Sequence, residues 1–257
     1  MTPDVVVDVG NSRLKWGVVK GGRITDVLRL PLNDSAAWDA ALTKLPPTEF
    51  ARKWAAASVN PPALAEFMKW SYSRGGAIAF EDREFIPIEL NVDFPDKVGI
   101  DRLFGAVAAK ALRPEGTAAI TVDVGTAVTV NFIDEHGVFQ GGAIMPGPRL
   151  MGLSLHRFTA KLPLVEADII EDFTPGKNTA DAIKLGLDAM LNGGVMALLG
   201  LFADQCETTP WLFLTGGAEH LLSARMPSIP ETHVVPTLVL EGIRIAAESL
   251  KNQVVRE

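Results

Sequence analysis

The sequence predicts an α/β protein made of two similar halves, each a mixed sheet flanked by helices. Two observations carry this expectation. A strand–Asp-Val-Gly–strand unit occurs twice, and after each copy strand-like and helix-like segments alternate. Residues 5–22 read VVVDVGNSRLKWGVVKGG and residues 120–137 read ITVDVGTAVTVNFIDEHG; a shift of 115 sets Asp8 on Asp123, Gly10 on Gly125, Ser12 on Ala127 and Gly22 on Gly137.

Each copy runs as an apolar strand, a short polar loop, a second strand and a glycine turn, which is the pattern of a β-hairpin. A third apolar strand follows in each half, at 23–30 and at 138–144. Helical spacing of apolar residues marks 35–44 and 62–73, with a strand-like segment at 53–59 between them. Residues 102–112 are again apolar at helical spacing. In the second half, 179–204 reads as a long helix, 211–215 as a buried strand and 237–250 as a terminal helix. The halves are expected to join near 114–116.

A chain of 257 residues can bury a large core without a disulfide or metal staple. Its single cysteine, Cys206, cannot close an internal disulfide, which favours a reducing compartment, and it reads as a small buried hydrophobe. The N-terminal MTPDVVVDVG lacks the pattern of a secretory signal. No run is read as a membrane span. The expected setting is cytoplasmic, with no membrane partner. With 24 Lys and Arg against 31 Asp and Glu, the net charge is −7. That balance argues against a nucleic-acid partner, whose affinity comes largely from cations neutralising phosphates. It does not argue against a small anionic ligand, which needs only local donors and a metal.

The chemistry begins at the repeated loops. A glycine at a strand end brings bare N–H groups close to an anion, and Asn11, Ser12 and Thr126 add neutral donors beside it. Asp8 and Asp123 are unsuited to touching phosphate but suited to holding a cation, directly or through water. Lys15 can neutralise charge on a transferring group. There is no GxxxxGK[ST], and no GxGxxG follows a strand, so a P-loop kinase is excluded. The four histidines, His136, His156, His220 and His233, are dispersed without ligand spacing and read as structural or surface. The five tryptophans read mainly as core.

The paired Asp-x-Gly hairpins resemble the two phosphate motifs of the superfamily containing actin, hexokinase and acetate kinase. Within it the chain resembles the type III pantothenate kinases. The resemblance is carried by DVGNSRLKWG at 8–17, VGIDR at 98–102 and TVDVGTAVTVNFID at 121–134. GGAIMPGPRLMGLSLHRFTAKLP at 141–163, NTADAIKLG at 178–186 and FLTGGAE at 213–219 complete it. The resemblance implies two ribonuclease H-like (actin-like ATPase) subdomains, 1–115 and 116–257, with an interdomain nucleotide cleft.

It further implies that ATP phosphorylates pantothenate to 4′-phosphopantothenate, the first step towards coenzyme A. In that reading Asp101 is the base, and Asp8, Val9, Gly10, Asn11, Ser12, Arg13, Leu14, Lys15 and Thr126 bind ATP. Gly99, Ile100, Asp101, Arg102 and Thr179 bind the acceptor. Asp8 is associated with Mg²⁺ held with ATP, and Asp123 with a monovalent cation, K⁺ or NH₄⁺. Gly216 and Gly217 would lie beside the adenine. A homodimer is implied, with Thr179 and residues 146–163 reaching the neighbouring subunit. Structural roles stand beside these: Asp101 as a helix cap, Thr179 as a helix N-cap or first-turn residue, and Gly216–Gly217 as a plain turn.

The chain departs from the family in one respect: the stretch before the Gly-Ile-Asp-Arg motif, 90–95, has no tyrosine, and the only tyrosine is Tyr72. The expected pocket is therefore altered or less polar. Two other readings compete. One is a non-enzymatic accessory factor for transcription, disfavoured by the retained carboxylates and the acidic charge. The other is a superfamily phosphohydrolase acting on polyphosphate, disfavoured by the lack of a basic cluster.

Overall fold

A computed structural model describes residues 2–170, 174–223 and 231–254. The chain divides into two compact units, one holding residues up to Leu112 together with those from Thr237, the other Arg113–Pro236. The sequence reading placed everything after residue 115 in the second half. The structure instead returns the last helix to the first unit.

The first unit opens with β1 (Val5–Val9), β2 (Leu14–Lys20) and β3 (Arg23–Leu30), then α1 (Ser35–Leu42), β4 (Trp54–Ser58), α2 (Pro61–Tyr72) and β5 (Ala77–Phe80). A short strand, β6 (Glu89–Leu90), and α3 (Ile100–Leu112) follow. The sheet order is β3-β2-β1-β4-β5. The first three strands are antiparallel neighbours, while β4 runs parallel to β1 and β5 parallel to β4.

Both faces of this sheet are covered, and the alternation of side chains decides what each face meets. Val5, Val7, Val9, Trp54 and Ala56 point into a core with Trp16, Trp38, Phe67 and Trp70. The aromatic rings there pack mostly edge to face, with Trp16 and Trp54 centroids 5.0 Å apart and Trp38 and Trp70 5.7 Å apart. The caps of α1 and α2 are Asp34 and Asn60, whose side chains accept from Ala37 N and Ala63 N. By the same alternation Val6, Asp8, Ala55 and Ala57 turn to the opposite face, where α3 packs on β4.

The second unit repeats the order. It contains β7 (Ala119–Val124), β8 (Ala127–Ile133), β9 (Val138–Pro146), α4 (Pro148–Phe158), α5 (Thr179–Ala203), β10 (Trp211–Gly216), α6 (His220–Ser223) and β11 (Thr232–Val234). Its own strands run β11-β10-β7-β8-β9. β7, β8 and β9 are antiparallel, whereas β10 runs parallel to β7 and β11 to β10, so the two units share one topology.

Helix α5 packs on β7 and β8 through a stripe spaced by four: Ile183, Leu187, Leu191, Val195 and Leu199. It is the one described helix long and apolar enough, by length and composition, to cross a membrane, with a mean hydropathy of 1.6. No such run is expected from the sequence, because Lys184, Asp188, Asn192 and several glycines interrupt the apolar residues. Here the buried stripe makes α5 the core helix of its unit.

The final helix, α7 (Leu238–Val254), lies against α3, β1 and β4 of the first unit. Glu241 fastens it, accepting from Ile24 N of β3 at 2.9 Å and from Arg244 Nε at 2.7 Å. The helices approach so closely that a Cβ at Gly242 would sit 1.9 Å from the Phe104 carbonyl oxygen. Gly242→Ala must therefore push α7 off α3. We expect it to lower stability by about 2–4 kcal/mol, read as a fall in melting temperature by calorimetry.

Candidate active site

The first loop is short because Gly10 N donates to Arg13 O at 3.1 Å, closing the turn between Val9 and Leu14. Of the residues expected to bind ATP, Val9 and Leu14 are fully buried, so only their backbone can serve. Asn11, Ser12 and Arg13 are exposed. Asp8 and Lys15 face each other across the ladder and form an ion pair, Nζ to Oδ2 3.1 Å. The Asp8 side chain is 11% exposed and that of Lys15 28%, so the pair is shielded from water but open on one side.

The second loop is one residue tighter. Gly125 N donates to Ala127 O at 3.0 Å, and Asp123 pairs with Thr129. The residue opposite Asp123 thus corresponds to Lys15, and Ala127 takes the place of Arg13. The sequence shift that set Ser12 on Ala127 is off by one in the loop. Thr126 is exposed, and its carbonyl accepts from Gly147 N at 3.0 Å, immediately before α4. The MPGPR segment therefore supports this loop, a role the sequence reading did not assign. Gly216, at φ 110°, closes the end of β10. Gly217 N and Ala218 N both donate to the Val124 carbonyl at 3.1 Å, which ties that turn to the strand leading into the loop. Gly216 and Gly217 thus form a turn at the end of a strand.

Neither Gly10 nor Gly125 lies at positive φ, and a Cβ would meet its nearest atom at 3.3 Å and 3.6 Å respectively. A left-handed backbone is therefore not what calls for glycine at either loop. At Gly125 a Cβ would fit at ordinary contact distance, whereas at Gly10 the Arg13 carbonyl would have to give by a few tenths of an ångström.

Asp101 lies in the first turn of α3, which starts from the Gly99 carbonyl, the acceptor for Arg102 N at 3.1 Å and Leu103 N at 3.4 Å. Its Oδ1 accepts from Arg102 N at 2.8 Å. Burial pushes the Asp101 carboxyl above the ordinary carboxylate range. The Arg102 N–H pulls it back, the Asp8 carboxylate raises it again, and the Arg102 guanidinium lowers it. The same burial lowers Arg102 from its usual value, and Asp101 opposes that shift. Two motifs far apart in sequence, DVG and GIDR, are thus in one electrostatic neighbourhood within the first unit. Sheet alternation explains it, since Asp8 points to the face on which α3 packs.

Thr179 is the exposed first residue of α5, and the cap is its neighbour Asn178, whose Oδ1 accepts from Asp181 N at 3.0 Å. Of the two structural roles open to Thr179, the first-turn position is the one it takes, and the N-cap is Asn178. Asp123 is half-buried at the end of β7. No group of three or more His, Cys, Asp or Glu suited to a metal occurs among the described residues. His233 stacks on Trp211 with centroids 4.4 Å apart. Cys206 is half-buried, with burial pushing its thiol up to about 11. Tyr72 is exposed at the end of α2, and in the stretch ahead of Asp101 the aromatic residue is Phe94, 70% exposed.

Residues 5–200 match the profile of the family described as Type III pantothenate kinase. The chain belongs to that family. Among its members, the type III pantothenate kinase of Halorhodospira halophila is 34% identical over 248 residues, covering 93% of this chain and 95% of the relative. Solved structures extend the likeness to the fold. A Baf family protein from Campylobacter jejuni, described as a transcriptional activator, superposes with a TM-score of 0.62 at 20% identity, over 96% of this chain and 99% of that one. MreB5 of Spiroplasma citri bound to AMPPNP gives a TM-score of 0.50 at 10% identity, over 98% of both chains. The fold is that of the actin-like ATPases.

Proposed function

We propose that this type III pantothenate kinase family member transfers the γ-phosphate of ATP to pantothenate, giving 4′-phosphopantothenate at the start of coenzyme A synthesis. The observation that carries the reading is the raised carboxyl of Asp101 beside the Asp8–Lys15 pair of the first phosphate loop. A base working near neutral pH needs a proton affinity above that of a free carboxylate, and burial supplies it. The acceptor hydroxyl oxygen attacks the γ-phosphorus, the bond to the β–γ bridging oxygen breaks, and ADP leaves. The hydroxyl proton passes to Asp101. Positioning and charge stabilisation do most of the rest.

The loops divide the remaining work. Gly10 through Ser12 and Thr126 offer donors to the phosphates, and Lys15 can swing from Asp8 to the transferring group. Gly99, Ile100, Arg102 and Thr179 are assigned to binding the acceptor. The largely buried Asp8 carboxylate, outside any group of three or more candidate metal ligands among the described residues, fits an ion held mainly by water and phosphate oxygens. Mg²⁺ bound with ATP would neutralise the phosphate charge. Asp123 fits a monovalent cation such as K⁺ or NH₄⁺. A homodimer is supported by apolar side chains left on the second unit, including Ile144 (64% exposed), Phe158 (81%), Met190 (58%) and Leu201 (60%). The single cysteine fits a cytoplasmic setting.

Gly125→Ala separates ligand from fold. Its Cβ would meet Ala127 O at an ordinary 3.6 Å, so stability should stay within about 0.5 kcal/mol, while the methyl covers the loop amides and raises the KM for ATP. Thermal melting and ATP kinetics check the two halves of that expectation. The function itself is tested by steady-state formation of phosphopantothenate with K⁺ or Na⁺ as the monovalent ion. Turnover that needs K⁺ or NH₄⁺ is expected, and full turnover in Na⁺ alone would remove the cation role from Asp123.

A further inference from the structure

We propose that Arg83 is a positioning residue for phosphoryl transfer, holding the acceptor loop so that Asp101 meets the hydroxyl; this rests on the function proposed above. Arg83 begins a one-turn 3₁₀ helix, Arg83–Phe85, directly after β5. Its guanidinium gives two N–H groups to a single backbone oxygen, the carbonyl of Val98, at 3.1 Å from Nε and 2.7 Å from a terminal nitrogen. A charged donor pair on one carbonyl is a strong, directional contact.

The place of that carbonyl gives the contact its consequence. Residues 93–97 are all exposed, and the chain enters α3 through Val98 and Gly99. Fixing the Val98 carbonyl fixes the peptide plane that carries Gly99 N. Gly99 in turn sits against the base: a Cβ built on it would lie 2.7 Å from Asp101 Oδ1. A shift of this joint therefore moves the carboxylate or the space it occupies. A displacement of about 1 Å from a near-attack geometry is enough to cost around 100-fold in rate.

Arg83 is itself anchored. Asp82 caps the short helix by accepting from Glu84 N at 3.0 Å, and Ile86, which closes it, is buried. Two residues before the capping Asp82, Phe80 packs edge-on against Phe104 of α3, centroids 5.3 Å apart. The end of β5 thus grips α3 twice, through Phe80 on the helix body and through Arg83 on its entrance. The nucleotide loop is closed by its own bond, Gly10 N to Arg13 O, so the effect should fall on the acceptor side.

The test compares wild type with Arg83→Gln and Arg83→Lys in the full chain, with kinetics for both substrates and backbone hydrogen exchange. We expect Arg83→Gln to lose about 10- to 100-fold in kcat/KM for pantothenate while the KM for ATP changes less than about twofold. Arg83→Lys, with one donor centre, should recover part of the loss. Exchange should quicken in the peptide covering 93–103 and stay unchanged in β1 and α2. The proposal is overturned if Arg83→Gln keeps its pantothenate kinetics, if both substrates weaken alike, or if exchange quickens throughout the first unit. A wild type that makes no phosphopantothenate would sink the parent function instead, and the exchange pattern would still decide the contact.

Discussion

Asp101→Asn should lower kcat for pantothenate phosphorylation by about 10²–10⁴-fold and, near neutral pH, make the protein more stable rather than less. Both effects come from one cause. Burial holds the Asp101 proton to a higher pH in the folded chain than in the unfolded one, where the ordinary value is 3.8. Between those two values the unfolded chain releases its proton first, so folding stability falls as pH rises through the window. Above the raised value the whole cost of an ionised, half-buried carboxylate is carried by the folded state. Asparagine has no charge to desolvate and cannot accept the hydroxyl proton. The gain in melting temperature over wild type should therefore grow from acid pH towards neutrality and then level off. Wild-type kcat/KM for pantothenate should show an acid limb displaced above the ordinary carboxylate range. A variant with undiminished turnover would remove Asp101 from the chemistry. A variant less stable than wild type at neutral pH would contradict the burial argument.

Lys15→Met should reduce kcat with ATP by about 10²-fold, because the group poised to meet charge on the transferring phosphoryl is gone. It also strips Asp8 of the partner 3.1 Å away, leaving a largely buried carboxylate without its counter-charge. Stability should fall, in contrast to Asp101→Asn. Asp8 already raises the Asp101 carboxyl, so weakening the neutralisation of Asp8 should move the acid limb for pantothenate further upward. Rate measurements across pH, together with melting curves, separate this coupled outcome from a simple loss of ATP binding. Kinetics within twofold of wild type would show that Lys15 serves only the fold.

Much of the fold was legible because its signals are local. The duplicated hairpins follow from period-two alternation around a glycine turn, and β3 was placed at Arg23–Leu30 by the same reading. Helix α5 was legible from apolar spacing. The elements that were missed lack such a signal. β5 has four residues and β11 three, too few for periodicity, and α4 starts at a proline within the segment 146–163, which was assigned no helix. The return of α7 to the first unit is a long-range packing choice, written in Gly242 and Glu241 but readable only once their partners are known.

The candidate site divides in the same way. Asp8, Gly10, Gly125, Thr126 and Asp101 were found as motif residues. Their relations were not. The alternation of β1 turns Asp8 towards α3, yet no spacing in the chain says that α3 will begin there. The one-residue difference between the two loops escaped because an ungapped shift realigns at the next glycine turn. Arg83 was missed for a plain reason: its partner is a backbone carbonyl, and no sequence pattern marks a carbonyl that needs an arginine.

The most direct test supplies γ-labelled ATP, Mg²⁺, K⁺ and pantothenate to the wild-type protein and follows where the label goes. Label should enter a phosphate ester of pantothenate, one for each ADP formed, and ADP should not accumulate when pantothenate is left out. Label released as free phosphate with pantothenate untouched, or no turnover of ATP at all, would contradict the account.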